Sequence, residues 1–317
     1  MRMALAAAAA FFSIAAWSQP YPTKPVRIVQ PYQAGGPAEG LARVLGNKMS
    51  AGLGQPVVIE TKAGAGGTIA TGFVAKSPPD GYTVLLAHVG PLALSPAVQK
   101  DLPYDPVRDF EPVGQVVATP LLLVVRNDIP AHTVKELVDH ARAHPGQLTY
   151  GSIGVGSTSH LAGEMLAAQT GVEIVHVPFK GSAQTIVEIL GGRISFAFIG
   201  VSGSIEQVRA GQMRALAVTT AKRSPNLPDL PAMAETLPGY ELNSWYGFMV
   251  PKGTPRPVVM RLHDEAVKAV NAPDVQEWMK QNGLDPQATS PEEFAALVKS
   301  DLAKWAQIIK AAKITGY

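Results

Sequence analysis

The chain contains no cysteine, so disulfides, thiolate nucleophiles, thiolate metal sites and lipid-modified cysteines are all excluded. It also lacks an excess of charge of either sign. Lysine and arginine total 27 against 25 aspartates and glutamates in 317 residues, and both signs are spread along the sequence. No basic face is available to neutralise a row of phosphates, which argues against a nucleic-acid partner. Charged residues make up only 16% of the chain and apolar residues 46%, which provides ample core material and no signature of disorder. The length is too great for one ordinary core and fits two lobes of roughly 100–200 residues.

The longest apolar run is at the start. Met1-Arg2-Met3 is followed by an almost unbroken apolar run from Ala4 to Trp17, with Ala16 and Ser18 as the small residues of a cut before Gln19. Residues 1–18 therefore read as a secretory signal peptide. A membrane anchor is the rival reading, but the run falls short of the ~20 residues that a spanning helix needs. No later stretch is long and apolar enough to span a bilayer, so the mature protein is expected to be soluble outside the cytoplasm.

From Val26 onward short β-branched runs alternate with helix-length amphipathic runs: Val26 to Val29, Ala38 to Met49, Val57 to Glu60, Gly67 to Lys76, and Thr83 to Ala87. A second series holds strands at Leu121 to Val125, Leu148 to Gly151, Glu173 to Val177, Ile194 to Ile199 and Ala215 to Thr219. Its helices start at Thr133, after Ser157 and at Ser182. This pattern predicts an α/β protein of two lobes, each a mainly parallel sheet flanked by helices. Thr133-Val134-Lys135-Glu136 and Ser290-Pro291-Glu292-Glu293 fit the capping box at a helix start. The last helix carries Phe294, Val298, Leu302, Trp305 and Ile309 on one stripe, read as core packing. Strands at Leu121 to Val125 and Trp245 to Val250 are the expected crossings between lobes. Lobe 1 then comprises 20–122 and 250–317, and lobe 2 comprises 123–249.

Two loops join a strand end to a helix start and consist mostly of small residues: Gln30 to Glu39 and Tyr150 to His160. Unpaired N–H groups and the positive helix dipole at such places hold an anionic oxygen without a charged side chain, and ligands of open α/β sheets bind at the strands' carboxyl ends. Each loop is a potential carboxylate cradle; alternatively its glycines serve only tight turns. Enzyme readings of the same glycines fail on residue identity. No G-x-x-x-x-G-K-[ST] occurs, Gly154-Val155-Gly156 is followed by Ser159 where a dinucleotide fingerprint needs glycine, and Gly64 to Gly67 has the wrong spacing. Gly200-Val201-Ser202-Gly203-Ser204 lacks the last glycine of a nucleophile elbow, leaving an exported hydrolase as a remote alternative.

Seven histidines are present, none in H-E-x-x-H. His140 and His144 lie four apart on a helix, a spacing open to zinc, but without a third ligand they read as an exposed face. His88 ends a strand and is either a cleft donor or a satisfied rim residue. His160 sits on a first helical turn and reads more readily as packing. Lys180 follows a strand end as either a cleft cation or a solvated lysine. Neither a cofactor nor a metal is implied.

Taken together the chain resembles the Bug-type, or TctC, family of solute-binding proteins, the extracytoplasmic receptors of tripartite tricarboxylate transporters. The resemblance runs from Tyr21 to the C-terminus. Its markers are Tyr21 to Arg27, Gly35-Gly36 leading to Ala42-Arg43, Leu53 to Val58, Gly64 to Gly67, Pro79 to Thr83, Leu102 to Pro106, Tyr150-Gly151-Ser152, Ser159 to Glu164, His176 to Gly181 and Arg214 to Thr219. It implies a two-lobed periplasmic binding fold of type II-like form that closes on a small organic anion and performs no covalent chemistry. In the family, backbone amides of the loops matching Tyr32 to Ala38 and Ser152 to Thr158 hold a carboxylate, partly through ordered water.

The candidate ligand-binding residues are then Tyr32, Gln33, Ala34, Gly35, Gly36, Ala38 and Glu39 on the first loop, and Ser152, Gly156, Ser157, Thr158 and His160 on the second. Gly67, His88, Phe179, Lys180, Gly181, Ile199 and Ser202 stand around them. Two residues depart from the family pattern: Glu39 replaces a common aspartate, and the strand ending Phe198-Ile199 lacks an acid that would pair with a ligand ammonium. A carboxylate with an apolar or aromatic body is therefore expected to bind better than an amino acid. The resemblance implies membrane permease subunits as partners, or a sensor kinase as the alternative, and a monomer is expected of a receptor that opens and closes.

Overall fold

The computed structural model describes residues 21–224 and 226–311; the leader read at residues 1–18 lies outside them. The first elements are β1 (Val26–Gln30), α1 (Pro37–Leu53), β2 (Val57–Thr61), α2 (Thr68–Ala75), β3 (Thr83–His88), α3 (Ser95–Val98) and β4 (Phe110–Arg126). Then come α4 (Val134–Ala143), β5 (Thr149–Ser152), α5 (Thr158–Thr170), β6 (Val175–Pro178), α6 (Ser182–Leu190), β7 (Phe196–Gly200), α7 (Val201–Arg209) and β8 (Met213–Val218). The chain returns through α8 (Met233–Thr236), β9 (Asn243–Pro251), α9 (Arg256–Val270), α10 (Pro273–Gln281), β10 (Asp285–Pro286) and α11 (Pro291–Ala311).

Local sequence explains the elements that flank the site. Helix α1 opens on proline, whose missing N–H costs nothing at the first helical position, and closes on Gly54 at φ 68°, whose N–H bonds Ser50 O,. Between these ends Ala38, Leu41, Ala42, Leu45, Met49 and Leu53 recur at helical spacing and are buried,. At α5 the Ser157 side chain caps the helix by accepting from the N–H of His160, and at α4 Thr133 does the same for Glu136,. The predicted box at Ser290 is present, with reciprocal bonds between Ser290 and Glu293.

The strands pair in the order β2-β1-β3-β9-β4-β7-β5-β6, and β8 and β10 pair with β4. The outer strands run parallel: β1 with β2 and β3, and β5 with β6 and β7. The inner ones do not. Strand β9 is antiparallel to β3 and β4, and β4 is antiparallel to β7 and β8. Each half is thus a mixed sheet instead of a mainly parallel one, because the strands that cross between lobes enter against the direction of the βα units.

Strand β4 is the longest and serves both halves. Phe110 to Pro120 pairs with β9, and from Leu121 onward the same strand pairs with β7 and β8. Only its second part is visible as an uninterrupted apolar run. In the first part Pro112 and Gly114 break the pattern, and the register shifts there and again at Gln115/Val117, as expected where proline removes a ladder N–H. Thr219 stitches the crossing: its hydroxyl donates to Leu242 O at 2.7 Å and accepts from Leu121 N–H at 3.0 Å.

Three apolar clusters hold the sheets. One packs α1, α9 and α10 on the first half, and one packs α6 and α7 on the second. The largest runs across both halves and includes Phe294, Val298, Trp305 and Ile309 of α11, with Leu302 packed against it, as the stripe predicts. Each fully buried side chain of this kind contributes roughly 1.5–3 kcal/mol.

Candidate functional site

The carboxyl ends of the strands from both halves meet at a cleft whose floor is formed by the crossing strands. Thr119 and Leu121 of β4, Ser244 and Tyr246 of β9, and His88 at the end of β3 line it, with Phe198, Ile199 and Gly200 of β7 beside them. Pro37, Ile153, Thr158, Ser159, Ser182 and Ser202 complete the lining. The walls are pressed together, and the free space is about 20 Å³, close to the room needed by a single water.

Contacts across the cleft show how the walls meet. Gln33 N–H donates to Lys180 O at 3.3 Å, and Ser95 Oγ donates to Gly156 O at 3.3 Å. A Cβ on Gly66 would lie 2.5 Å from Val155 O, and one on Gly154 would lie 2.7 Å from Gly66 N. Glycine at these two places lets backbone meet backbone. A Cβ on Gly203 would meet Pro37 at 2.8 Å, and one on Gly181 would meet Gln33 at 3.0 Å.

Four helices point their first turns at this space: α1 through Pro37, α5 through Thr158 and Ser159, α6 through Ser182, and α7 through Gly200 and Ser202. Three of them have glycine N-caps, Gly36, Gly181 and Gly200, with no side-chain cap bond. Among the described residues the N–H groups of Ala34, Gly36, Ala38, Thr158 and Ser159 have no protein acceptor. The dipoles of all four helices place partial positive charge on one cavity, and no Lys, Arg, Asp or Glu lines it.

The two predicted loops are held differently. On the first, the Glu39 carboxylate reaches back to accept Gly35 N–H at 2.7 Å and pairs with Arg43. The Gly35 amide, then the arginine, holds its pKa below the usual glutamate value,. On the second, Ile153 N–H donates to Ser159 Oγ at 3.0 Å, Gly154 N–H to Ser152 Oγ at 3.1 Å, and Gly156 N–H to His160 Nδ1 at 3.2 Å. Gly156 is therefore a brace within its loop and does not line the cavity. His160 stacks on His176 with centroids 4.1 Å apart, and burial pushes their pKa values down to about 3 and about 4. Both rings are thereby held toward the neutral form, and His160 packs behind the cavity lining.

His88 is likewise buried, with its pKa pushed down to about 3 by desolvation. Its Nδ1 lies 2.5 Å from Tyr32 Oη and accepts from Gly90 N–H, and its Nε2 lies 2.8 Å from Ser244 Oγ. Of the sequence candidates, His88, Thr158, Ile199 and Ser202 line the cavity. Tyr32, Glu39, Ser152, Ser157 and His160 hold the lining in place from behind. Gln33, Ala34 and Gly35 stand on the exposed rim. Gly67 packs on Pro31 and Pro91, Phe179 packs with the second-half cluster, and Lys180 is exposed and touches the first loop only through its carbonyl; none of these three lines the cavity.

Sequence reasoning missed Thr119, Ser244 and Tyr246, which come from crossing strands far apart in the chain, and Ser182 as a site residue. Gly181 and Ser202 had marked the α6 and α7 termini as candidates, and Gly200 carries the same signal as the two loops, a glycine between a strand end and a helix start. His140 and His144 stack on each other, and no cluster able to hold a metal is found among the described residues. A larger cavity of about 520 Å³ lies behind the crossing strands and shares Thr119 and Ser244 with the cleft, and one of about 250 Å³ lies beside α11; no residue of the four helix N-termini lines either.

A two-lobed α/β protein with a dipole-lined cleft is the architecture of a periplasmic binding protein, and comparison with known proteins agrees. The family described as the tripartite tricarboxylate transporter family receptor, TctC, matches residues 41–314, and the chain belongs to that family. A protein from the tcbD-tcbE intergenic region of Pseudomonas sp. (strain P51) is 40% identical over 91% of this chain and 86% of its own length. The periplasmic binding protein BugD superposes with a TM-score of 0.90 at 38% identity, covering 94% of this chain and 100% of its own. A Rhodopseudomonas palustris protein solved with adipate has a TM-score of 0.90 at 36% identity, covering 94% of this chain and 100% of its own. MatC from the same organism, solved with bound malate, has 0.87 at 30% identity, covering 91% and 100%.

Proposed function

We propose that this chain is a periplasmic receptor that captures a small organic carboxylate between its lobes, does no covalent chemistry on it, and delivers it to the permease of a tripartite transporter. The observation that carries the reading is the convergence of four helix N-termini on a cavity without any charged side chain. Each terminus stabilises an anion by about 0.3–1 kcal/mol, and by up to ~2 kcal/mol when partly buried. The absence of a lining acid disfavours amino acids, whose ammonium would be buried without a partner. Adipate in one relative and malate in another support the carboxylate class.

Ligand contacts from both walls favour the closed form, which is the state a permease would recognise. Lobe 1 is assigned 20–122 and 250–317 and lobe 2 is assigned 123–249. The change of partner on β4 at Pro120/Leu121 supports the first boundary, whereas β9 pairs with first-half strands already from Asn243, which moves the second boundary from 250 toward 243. We also assign a monomeric receptor released once the leader is cut after Ser18; no helix among the described residues is long and apolar enough to cross a membrane.

A thermal-shift screen tests the reading with adipate, malate, hexanoate, benzoate, aspartate and glutamate. A true ligand at 100 times its Kd adds about 2.7 kcal/mol to stability. The expected result is stabilisation by one or more of the first four and none by the two amino acids. Stabilisation by amino acids alone, or by no carboxylate at all, overturns it.

A further inference from the structure

The hydrogen bonds around His88 determine more than its burial. Nδ1 receives Gly90 N–H, and Tyr32 Oη is 2.5 Å from the same nitrogen. An N–H can only donate, so the Gly90 contact assigns Nδ1 as the unprotonated nitrogen, with the Tyr32 hydroxyl directed at the same lone pair,. The ring is buried and held between Tyr32, edge-on at 5.2 Å, and Tyr246 at 4.6 Å, an apolar sandwich that keeps it neutral. A neutral ring with a bare Nδ1 carries its proton on Nε2, and that proton points at Ser244 Oγ, 2.8 Å away. Ser244 thus spends acceptor capacity on His88 and keeps its own O–H. Among the described residues that hydroxyl has no other partner, and Ser244 is only 1% exposed while standing in the wall between the cleft and the 520 Å³ cavity behind it.

We propose that Ser244 is a hydrogen-bond donor to the bound solute, held in its donating state by the Tyr32–His88 pair, and that it selects solutes with a second oxygen acceptor at the cleft floor. The inference rests on the carboxylate-receptor reading and deepens it. The helix termini take the first carboxylate, and Ser244 reads an additional carboxylate, hydroxyl or carbonyl at the crossing strands. The donor is neutral, so it imposes no charge on that second group. Ser244 is a contact residue; His88 and Tyr32 are positioning residues.

The experiment has two arms. In the first, adipate and hexanoate, which share a chain length and differ in one carboxylate, and malate and succinate, which differ in one hydroxyl, are titrated calorimetrically into wild type, Ser244→Ala and Tyr32→Phe. We expect Ser244→Ala to weaken the better-binding member of a pair about tenfold and to leave its partner within about twofold. Tyr32→Phe should weaken the same member by a smaller factor. In the second arm, nitrogen-15 NMR of the imidazoles in wild type without ligand reads the His88 tautomer directly, and does so even if the variants fail to fold. The expected signal is a neutral ring protonated at Nε2. An Nδ1–H tautomer overturns the proposal, as does equal weakening of both members of a pair or unchanged affinity in Ser244→Ala. Failure of wild type to bind any carboxylate overturns the receptor reading and with it the donor role, even where the tautomer is as expected.

Discussion

The two small-residue loops look alike in sequence and behave differently in the structure. The second, from Tyr150 to His160, is the more heavily braced: serine and histidine side chains take up the amides of Ile153, Gly154 and Gly156, while those of Thr158 and Ser159 at its helix start stay open, and we read it as the stiffer wall. The first, from Gln30 to Glu39, has one such brace on its small-residue stretch, the Glu39 carboxylate on Gly35 N–H, and it leaves the amides of Ala34, Gly36 and Ala38 open. A preorganised wall facing a more pliant one is a sensible division for a cleft that closes, because one side sets the geometry and the other adapts to the solute.

The largest effect should come from forcing the stiff wall. Gly66→Val places a Cβ 2.5 Å from Val155 O, a clash of the closed walls that adds to the strain of a β-branched residue at φ 64°,. Overpacking of about 1–3 kcal/mol predicts roughly 10- to 100-fold weaker binding, read by calorimetry, with small-angle scattering showing no compaction on ligand addition. Unchanged affinity would mean that the second loop yields and the contrast is false.

A smaller effect is expected on the pliant side. Glu39→Gln removes the charge on Gly35 N–H, worth about 0.3–1 kcal/mol at a helix start. Because folding lowers the Glu39 pKa, its stabilisation is fully present above the unfolded value and is lost as pH falls through the folded one. Denaturant melts should therefore separate wild type from the variant at pH 7 and bring them together only as pH falls below the ordinary glutamate range. A gap that persists in acid would assign the effect to packing.

The smallest effect belongs to Lys180. Its carbonyl meets Gln33 N–H while its side chain is exposed, so Lys180→Ala should alter affinity by less than about twofold. A large loss would make it a cleft cation after all.

The predicted strands and helices of the βα units formed near the places their apolar periods indicate, and the α11 stripe is buried as read. What escaped has a common cause. The first part of β4 is interrupted by Pro112 and Gly114, and α7 is rich in the small residues Ser202, Gly203 and Ser204, so neither shows a clean period. Helix α9 is the exception: Val259, Leu262, Ala266, Ala269 and Val270 recur at helical spacing and are buried, so its period was legible and was not read. Of the site, the loop residues were legible because a glycine run between strand and helix has a local physical meaning. Thr119, Ser244 and Tyr246 were not, because a residue on a crossing strand becomes a site residue only when another strand lies beside it.

The amino-acid sequence alone determined the chemistry that is missing, the α/β alternation and the places where helix amides are left open, since each depends on residues within a few positions of one another. Which helices aim at the same space, which amides are already taken, and which nitrogen of His88 holds the proton were decided by packing. These depend on contacts such as that between His88 and Ser244, 156 residues apart, and only the folded chain brings such groups within hydrogen-bond reach.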